Sequence, residues 1–415
     1  MSNSFRFFVG IDLGSQTHHV HVINAGGDTI GQRSVKHCGS DIEELFRWIA
    51  NITSAPASEI AVAAESPNGA VVEASLDRGY GTFSINPKQL DRFRDRFSVA
   101  GAKDDRRDAL VLAHSLRTDQ HHFRRLDRCD PRLLRLRELS RAEEGIQQDF
   151  RRSANQLWQL LQRYFPALLT LAPSADEPWL WSLLETASTP AQAARLRPAR
   201  LECILKKHQI RRLDATQLRQ TLQQMALPLA DGLSHALAEQ VLLLLPRLRL
   251  LHQQLAQLRQ RIEKLIDELA GDTNFQEHRD VEILLSVPGV GRVFTATVLA
   301  EATAALQQRD YHACRALAGV APVTAQSGKT KLVSMRQACN RRLRNAIFHA
   351  ANVHSQRDDR AHQHYLNLRK RGHSRGRALR SVADRLLALI FVLLRNQQNY
   401  DPARRSETPP SEKLP

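Results

Sequence analysis

Cysteine is scarce in this chain and never paired. Cys38, Cys129, Cys203, Cys314 and Cys339 stand far apart among 415 residues, and no C-x-x-C pair occurs. That spacing excludes a zinc knuckle and a disulfide framework. Apolar runs such as Val241 to Leu245 are far too short to span a membrane. The first residues show no signal-peptide pattern, so a reducing cytoplasm is the expected compartment and no membrane partner is expected. Glycine-rich phosphate loops are missing too: there is no G-x-x-x-x-G-K-[ST], and the one adjacent pair, Gly26-Gly27, reads as a hairpin turn. No histidine stands at an informative spacing for a Ser-His-Asp triad, which leaves acyl transfer unsupported.

Acidic residues are outnumbered, 43 against 59 Lys and Arg, for a formal net charge of +16. The imbalance is local. Residues 321–400 hold 16 Lys and Arg against three acids, Asp358, Asp359 and Asp384. An excess of that size is the electrostatic footprint of a nucleic-acid surface, the bland alternative being a solvated face. The residues expected to carry it are Lys329, Lys331, Arg336, Arg341, Arg342, Arg344, Arg369, Lys370 and Arg371. Such clusters grip phosphates and do not read bases.

Against this basic background four carboxylates occupy telling positions. Asp12 closes the apolar run Phe7-Phe8-Val9-Gly10-Ile11, and Glu65 closes Ile60-Ala61-Val62-Ala63-Ala64. Asp105 and Asp108 are spaced i, i+3, which on a helix puts them on one face. Acids at two strand ends and on one helix can converge on a pair of divalent ions. Hard oxygen ligands suit Mg²⁺ or Mn²⁺, and two such ions serve phosphodiester chemistry. Gly10-Ile11-Asp12-Leu13-Gly14-Ser15 also resembles the phosphate loop of sugar kinases and actin-like ATPases, but the further glycine-rich loops those folds need are absent.

Periodicity predicts strands at Phe5–Asp12, His18–Asn24 and Thr29–Val35, then a helix from Ser40-Asp41 with Ile42, Leu45, Phe46 and Ile49 on one face. Strand Ile60–Ala64, helix Ala70–Asp77, strand Thr82–Ile85, helix Pro87–Phe97 and a helix through Asp105–Leu116 follow. A three-stranded meander followed by β-α-β units is the pattern of the α/β ribonuclease H-like fold. From Leu133 to Leu269 the chain reads as helical, with a seam at Leu248, Leu251, Leu255, Leu258, Ile262, Leu265 and Leu269 stepping by threes and fours. This seam can pair with the earlier amphipathic helix around Leu136–Leu161 or with another subunit. Ser188-Thr189-Pro190 reads as a helix start within a compact helical insert.

Beyond Val281, the run Ser286-Val287-Pro288-Gly289-Val290-Gly291 between two helical stretches has the helix-hairpin-helix pattern. Gly289 and Gly291 would let backbone N–H groups approach a phosphate, and plain helix packing is the alternative. Ser327 stands beside Gly328 and ahead of Lys329 and Lys331, so its hydroxyl can face a phosphate with cations nearby; by composition this segment is also an ordinary polar turn. The expected domains are 1–125, 126–275 and 276–400, the last mostly α, with a disordered tail at 401–415.

The ordered series G-I-D, A-x-E-S, K-x-D-x-x-D-A, S-V-P-G-V-G, L-A-G-V-A-P, Q-S-G-K and N-R-R-L-R resembles the DEDD-type transposases of bacterial insertion sequences. That group includes the Piv invertases and the bridge-RNA-guided recombinases. The resemblance runs from about residue 5 to 395. It implies a RuvC-like N-terminal domain, a coiled-coil connection and a C-terminal transposase domain. It further implies a metal-binding tetrad at Asp12, Glu65, Asp105 and Asp108, and a nucleophilic serine at Ser327. Strand cleavage would pass through a covalent phosphoserine, on donor and target DNA, with a structured guide RNA encoded by the element and a homo-oligomer, dimer or tetramer, near the nucleoid. A metal-dependent hydrolytic nuclease or Holliday-junction resolvase is the competing enzyme. A non-catalytic nucleic-acid-binding protein is the reading from another class.

Overall fold

The computed structural model describes residues 5–85, 87–94, 105–128, 130–272, 278–327 and 330–402. Lys329, the side chains of Asp105 and Lys331, and the tail from residue 403 lie outside them. The chain forms two compact units, Met1–Asp130 and Pro131–Pro415. Among the described residues no helix is long and apolar enough to cross a membrane.

The first unit is built on six strands in the order β3-β2-β1-β4-β5-β6. They are β1 (Phe7–Leu13), β2 (Thr17–Asn24), β3 (Thr29–Lys36), β4 (Ile60–Ala64), β5 (Gly81–Ser84) and β6 (Arg124–Leu126). β1 runs antiparallel to β2 and parallel to β4, and β4 is parallel to β5. This mixed sheet is compatible with a ribonuclease H-like domain. The expected elements appear, with most ends within a residue or two; α4 runs three residues past the expected Leu116, and the expected end of α3 at Phe97 lies outside the described residues. Not expected was β6, three residues pairing antiparallel with β5, which is too short and too basic for alternation to reveal.

Strand alternation sorts the sheet into two faces. Val9 and Ile11 of β1, with Ile60 and Val62 of β4, pack with α1 (Gly39–Thr53) and α2 (Ala70–Asp77) through Ile42, Leu45, Phe46, Ile49 and Val71. Phe8, Ala61, Ala63 and Phe83 face the other way, toward α3 (Pro87–Arg94) and α4 (Asp105–Asp119), and meet Leu90, Val111, Leu112 and Leu116.

In the second unit two long helices lie side by side, α5 (Pro131–Tyr164) and, further on, Leu233–Gly271. Between them come α6 (Pro178–Thr186), α7 (Pro190–Ala194), α8 (Pro198–Lys207) and α9 (Ala215–Leu222), which makes the second long helix α10. The expected start of α7 is a capping box: Thr189 accepts from the Gln192 N–H, and the Gln192 side chain accepts from the Thr189 N–H. Arg132 meets Asp272, Glu143 meets Arg259 and Phe150 meets His252, so α5 and α10 are antiparallel within one chain. Leu248, Leu251, Leu255, Ile262, Leu265 and Leu269 of the seam are buried, and Leu258 is half-buried.

The chain continues with α11 (His278–Ser286), α12 (Arg292–Glu301), α13 (Thr303–Gln307) and α14 (Tyr311–Leu317). It ends with α15 (Arg341–Arg357), α16 (Asp359–Lys370) and α17 (Arg375–Asn396). Between α14 and α15 this mostly helical segment holds a hairpin, β7 (Pro322–Ser327) and β8 (Thr330–Met335), in register from Pro322↔Met335 to Ser327↔Thr330. A polar turn was the sequence reading of this segment. Its strands expose residues on both faces, so no apolar alternation marked them.

Candidate active site

The site is assembled around Gly10. A Cβ placed there would lie 2.0 Å from the Ala109 carbonyl oxygen, 2.6 Å from the Ala113 nitrogen and 2.8 Å from the Leu112 Cβ. The absence of a side chain therefore lets α4 sit directly on β1. Direction follows from the far end of the helix: the Arg117 guanidinium donates to the Ala25 carbonyl at 3.3 Å. Ala25 adjoins Asn24, which pairs with Phe7 at the start of β1. α4 thus runs opposite to β1, and its first turn lies toward Asp12.

Asp12 shares the α4 side of β1 with Phe8 and Gly10 by alternation. In the parallel ladder Ile11 is opposite Ala64, so one further step sets Glu65 beside Asp12, on the face of Ala61 and Ala63. Both are half-buried. Asp108, one residue before Ala109, is 2 % exposed. Asp105 begins α4 one turn earlier. Three segments far apart in sequence thus place Asp12, Glu65 and Asp108 toward one end of β1, and the backbone of Asp105 opens the helix there. A carboxylate as deeply buried as Asp108 is costly unless cations or donors face it. An all-oxygen, all-acidic donor set fits Mg²⁺ or Mn²⁺ and could hold a pair of them.

Among the described residues a different set of metal-capable groups, missed by the sequence reading, has its ligand atoms close together. Asp119, His121 and His122 place their ligand atoms within 4.8 Å of one another. They sit at and just beyond the C-terminal end of α4, about 21 Å of helix away from Asp105, and are largely exposed. The signal in sequence was the triplet Gln120-His121-His122 after Asp119, unremarkable without the turn that folds it.

Ser327 ends β7, opposite Thr330, and is exposed. Of the basic residues, Arg341, Arg369, Lys370 and Arg371 are exposed and open to solvent. Arg342 has a different setting. Its side chain is 14 % exposed and reaches Glu144 at 3.1 Å and Glu301 at 3.4 Å, and it donates to the Ser140 hydroxyl at 2.6 Å. Glu301 is also held by Arg141 at 3.0 Å and the Asn340 amide at 2.7 Å. Burial opposes its ionisation, yet the hydrogen bonds from Arg141 and Asn340 outweigh burial and hold its carboxyl below the usual range. Arg344 and Arg336 are half-buried, and the Arg344 guanidinium donates to the Arg336 carbonyl.

The two turn glycines divide. Gly289 has φ +87° and an added Cβ would lie 2.5 Å from the His354 backbone nitrogen, while His354 Nδ1 sits 2.7 Å from the Pro288 carbonyl. Its bareness serves the packing of this turn on α15. Gly291 is exposed with nothing within 4 Å of such a Cβ, so the N-terminus of α12 stays open.

Comparison with known proteins finds transposases. A DEDD transposase family of the IS110 type matches residues 9–166, and the transposase IS116/IS110/IS902 family matches residues 281–366. A putative transposase, y4uE, of Sinorhizobium fredii is 44 % identical over 216 residues, which span 52 % of this chain and 60 % of that protein. The mini-circle putative transposase for IS117 of Streptomyces coelicolor is 32 % identical over 413 residues. An uncharacterized 43.6 kDa protein of insertion element IS110, also from Streptomyces coelicolor, is 25 % identical over 95 % of both chains. With the similarity to the IS117 protein covering 97 % of each chain and two family matches in order along it, the chain belongs to the IS116/IS110/IS902 family of transposases.

Proposed function

We propose that this protein is a metal-dependent DNA transposase that holds two divalent ions on Asp12, Glu65, Asp105 and Asp108 and cuts DNA with Ser327 as nucleophile. The observation that carries the reading is the meeting of the ends of β1 and β4 with the first turn of α4, enforced by the bare Gly10. Family membership supports DNA as the substrate. Bound Mg²⁺ or Mn²⁺ would supply positive charge to a phosphodiester and its leaving oxygen.

The protein's own groups do the rest. The carboxylates would hold the ions and, as hard anionic ligands, favour Mg²⁺ or Mn²⁺ over softer metals. The Ser327 hydroxyl, exposed on β7, reaches a strand without a burial barrier. Its Oγ forms a bond to phosphorus while one phosphorus–oxygen bond of the strand breaks. The serine proton is released, and the departing deoxyribose oxygen takes one up. Attack by a hydroxyl of the partner strand reverses these changes and frees the serine, so energy is conserved through the exchange. A structured RNA encoded by the element, held on the exposed basic surface of Arg341, Arg369, Lys370 and Arg371, would choose the sites, within a homo-oligomer.

The test is a denaturant-resistant protein–DNA adduct. Wild type with Mg²⁺ should form one on cleaved DNA. Ser327→Ala should bind DNA normally and form none, because an oxygen nucleophile has been removed and not a ligand. Asp12→Asn should fail to cut while still binding DNA. Mixed Ser327→Ala and Asp12→Asn subunits regain activity if one subunit's serine works with another's acids. Cutting and rejoining by Ser327→Ala would make water the nucleophile and the protein a hydrolytic resolvase.

A further inference from the structure

Guanidinium groups withdrawn from water are matched by carboxylates almost everywhere in the second unit. Arg309 meets Asp280 at 2.5 Å, Arg315 meets Asp384 at 2.6 Å, and Arg141 and Arg342 share Glu301. Arg336, Arg344 and Arg380 depart from that rule. The Nε of each is buried with no hydrogen-bond acceptor, and none of the three forms an ion pair among the described residues.

The three belong together. Arg344 touches Arg336 through the Arg336 carbonyl. Burial, then the like charges of Arg344 and Arg377, pull Arg380 below the usual arginine range, which places Arg380 within electrostatic reach of Arg344, the residue that also touches Arg336. Space for the cluster is made by Gly319, at φ +65°, where a Cβ would lie 2.7 Å from Arg344 Nη2, 2.9 Å from Arg344 Nε and 2.9 Å from Cys339 Sγ. Three clustered cations with buried donors and no counter-charge destabilise a fold unless an anion joins them. Guanidinium forks match a tetrahedral phosphate diester in both charge and geometry.

We propose that Arg336, Arg344 and Arg380, with Arg377 at the rim, form an anion pocket that grips one backbone phosphate of the DNA strand on which Ser327 acts. The hairpin supplies the link between pocket and serine, and that link rests on the function proposed above. Arg336 directly follows β8, whose Met335 pairs with Pro322 at the base of the hairpin, while Ser327 pairs with Thr330 at the other end. Five strand steps separate the two ends, about 17 Å. That is about five nucleotides along one strand of a duplex. The pocket would therefore anchor the strand at a fixed distance from the nucleophile, as a ruler for where the cut falls.

The experiment uses the full chain as wild type, Arg380→Gln, Arg336→Gln and the remote surface control Arg200→Gln. Melting is followed with and without inorganic phosphate, and binding of duplex DNA and of duplex RNA is titrated across salt. Arg380→Gln should melt at the same or a higher temperature in phosphate-free buffer, since a repulsion is relieved. It should also lose the phosphate-induced rise seen in wild type. DNA affinity should fall about tenfold and the slope of log K against log salt by about one. Arg336→Gln should repeat the pattern, and Arg200→Gln should match wild type. Lower melting with the phosphate response intact would make the cluster structural and overturn the proposal. So would unchanged DNA affinity, or a loss confined to RNA. These readouts need no cleavage, so continued cutting by Ser327→Ala would refute the nucleophile and leave the pocket standing.

Discussion

The Ala109 carbonyl oxygen occupies the space where a side chain on Gly10 would begin, 2.0 Å from the position of its Cβ. No rotamer can relieve that overlap, because a Cβ has its position fixed by the backbone and the oxygen it meets is itself backbone. The contact fixes α4 on β1 and, through it, the distance from Asp108 to Asp12.

Gly10→Ala should therefore cost about 1–3 kcal/mol of stability as α4 is pushed off the sheet. Its effect on DNA cleavage should be larger than that on stability, since small displacements at a metal site disable it. Denaturant unfolding alongside a cleavage assay checks this. Wild-type cleavage by a folded Gly10→Ala protein would detach the α4 contact from the acid site.

Arg341 and Arg342 are neighbours with opposite duties. Arg342→Gln removes one cation from the deeply buried Glu301 and should destabilise by about 1–3 kcal/mol. Arg341→Gln, on an exposed helix position, should stay within about 0.5 kcal/mol of wild type and instead weaken nucleic-acid binding. Thermal melts and salt titrations of the two single variants should rank them in opposite orders. Equal loss of stability would dissolve the distinction.

Leu255→Lys with Ile262→Lys tests the long helices. Both residues are buried against the same chain, so each lysine should cost on the order of a few kcal/mol. The expected outcome is loss of the cooperative fold by circular dichroism. A folded double variant of smaller mass in light scattering would instead place the seam between subunits.

Stability should also fall on mild acidification. Burial, then Lys207 and Arg249, lower the pKa of His208, whose Nε2 lies 2.8 Å from the Ser182 hydroxyl. Burial, then Arg385 and Arg371, lower that of His364. Unfolded histidines take up protons near pH 6.5, folded ones at lower pH, so below about 6.5 the unfolded chain binds more protons and is favoured. Above about pH 7 the contribution vanishes. The melting temperature of wild type should drop between pH 7 and 5, and His208→Gln with His364→Gln should flatten that dependence.

The sequence by itself determined the secondary elements of the first unit, β6 excepted, and the positions of its four acids along them. Buried strands and amphipathic helices announce themselves by periods of two and 3.6, and carboxylates closing apolar runs are visible without coordinates. It likewise determined the α10 seam, because a sustained a/d repeat has no use except to be covered. The tertiary structure decided what covered it: α5 of the same chain, through pairs such as Glu143 and Arg259 that are 116 residues apart. It also decided that β1 and β4 are parallel neighbours and that α4 runs against them, so that the ends of both strands face the first turn of that helix. Charge in a sequence carries no partner, and for that reason Arg341, Arg342 and Arg344 read alike. Folding separated them into a solvent-facing cation, one neutralised by Glu144 and Glu301, and one left with a buried nitrogen and no acceptor. The β7–β8 hairpin was hidden because two strands exposed on both faces need no hydrophobic alternation. Their backbone pairing alone sets Ser327 at one end and Arg336 at the other.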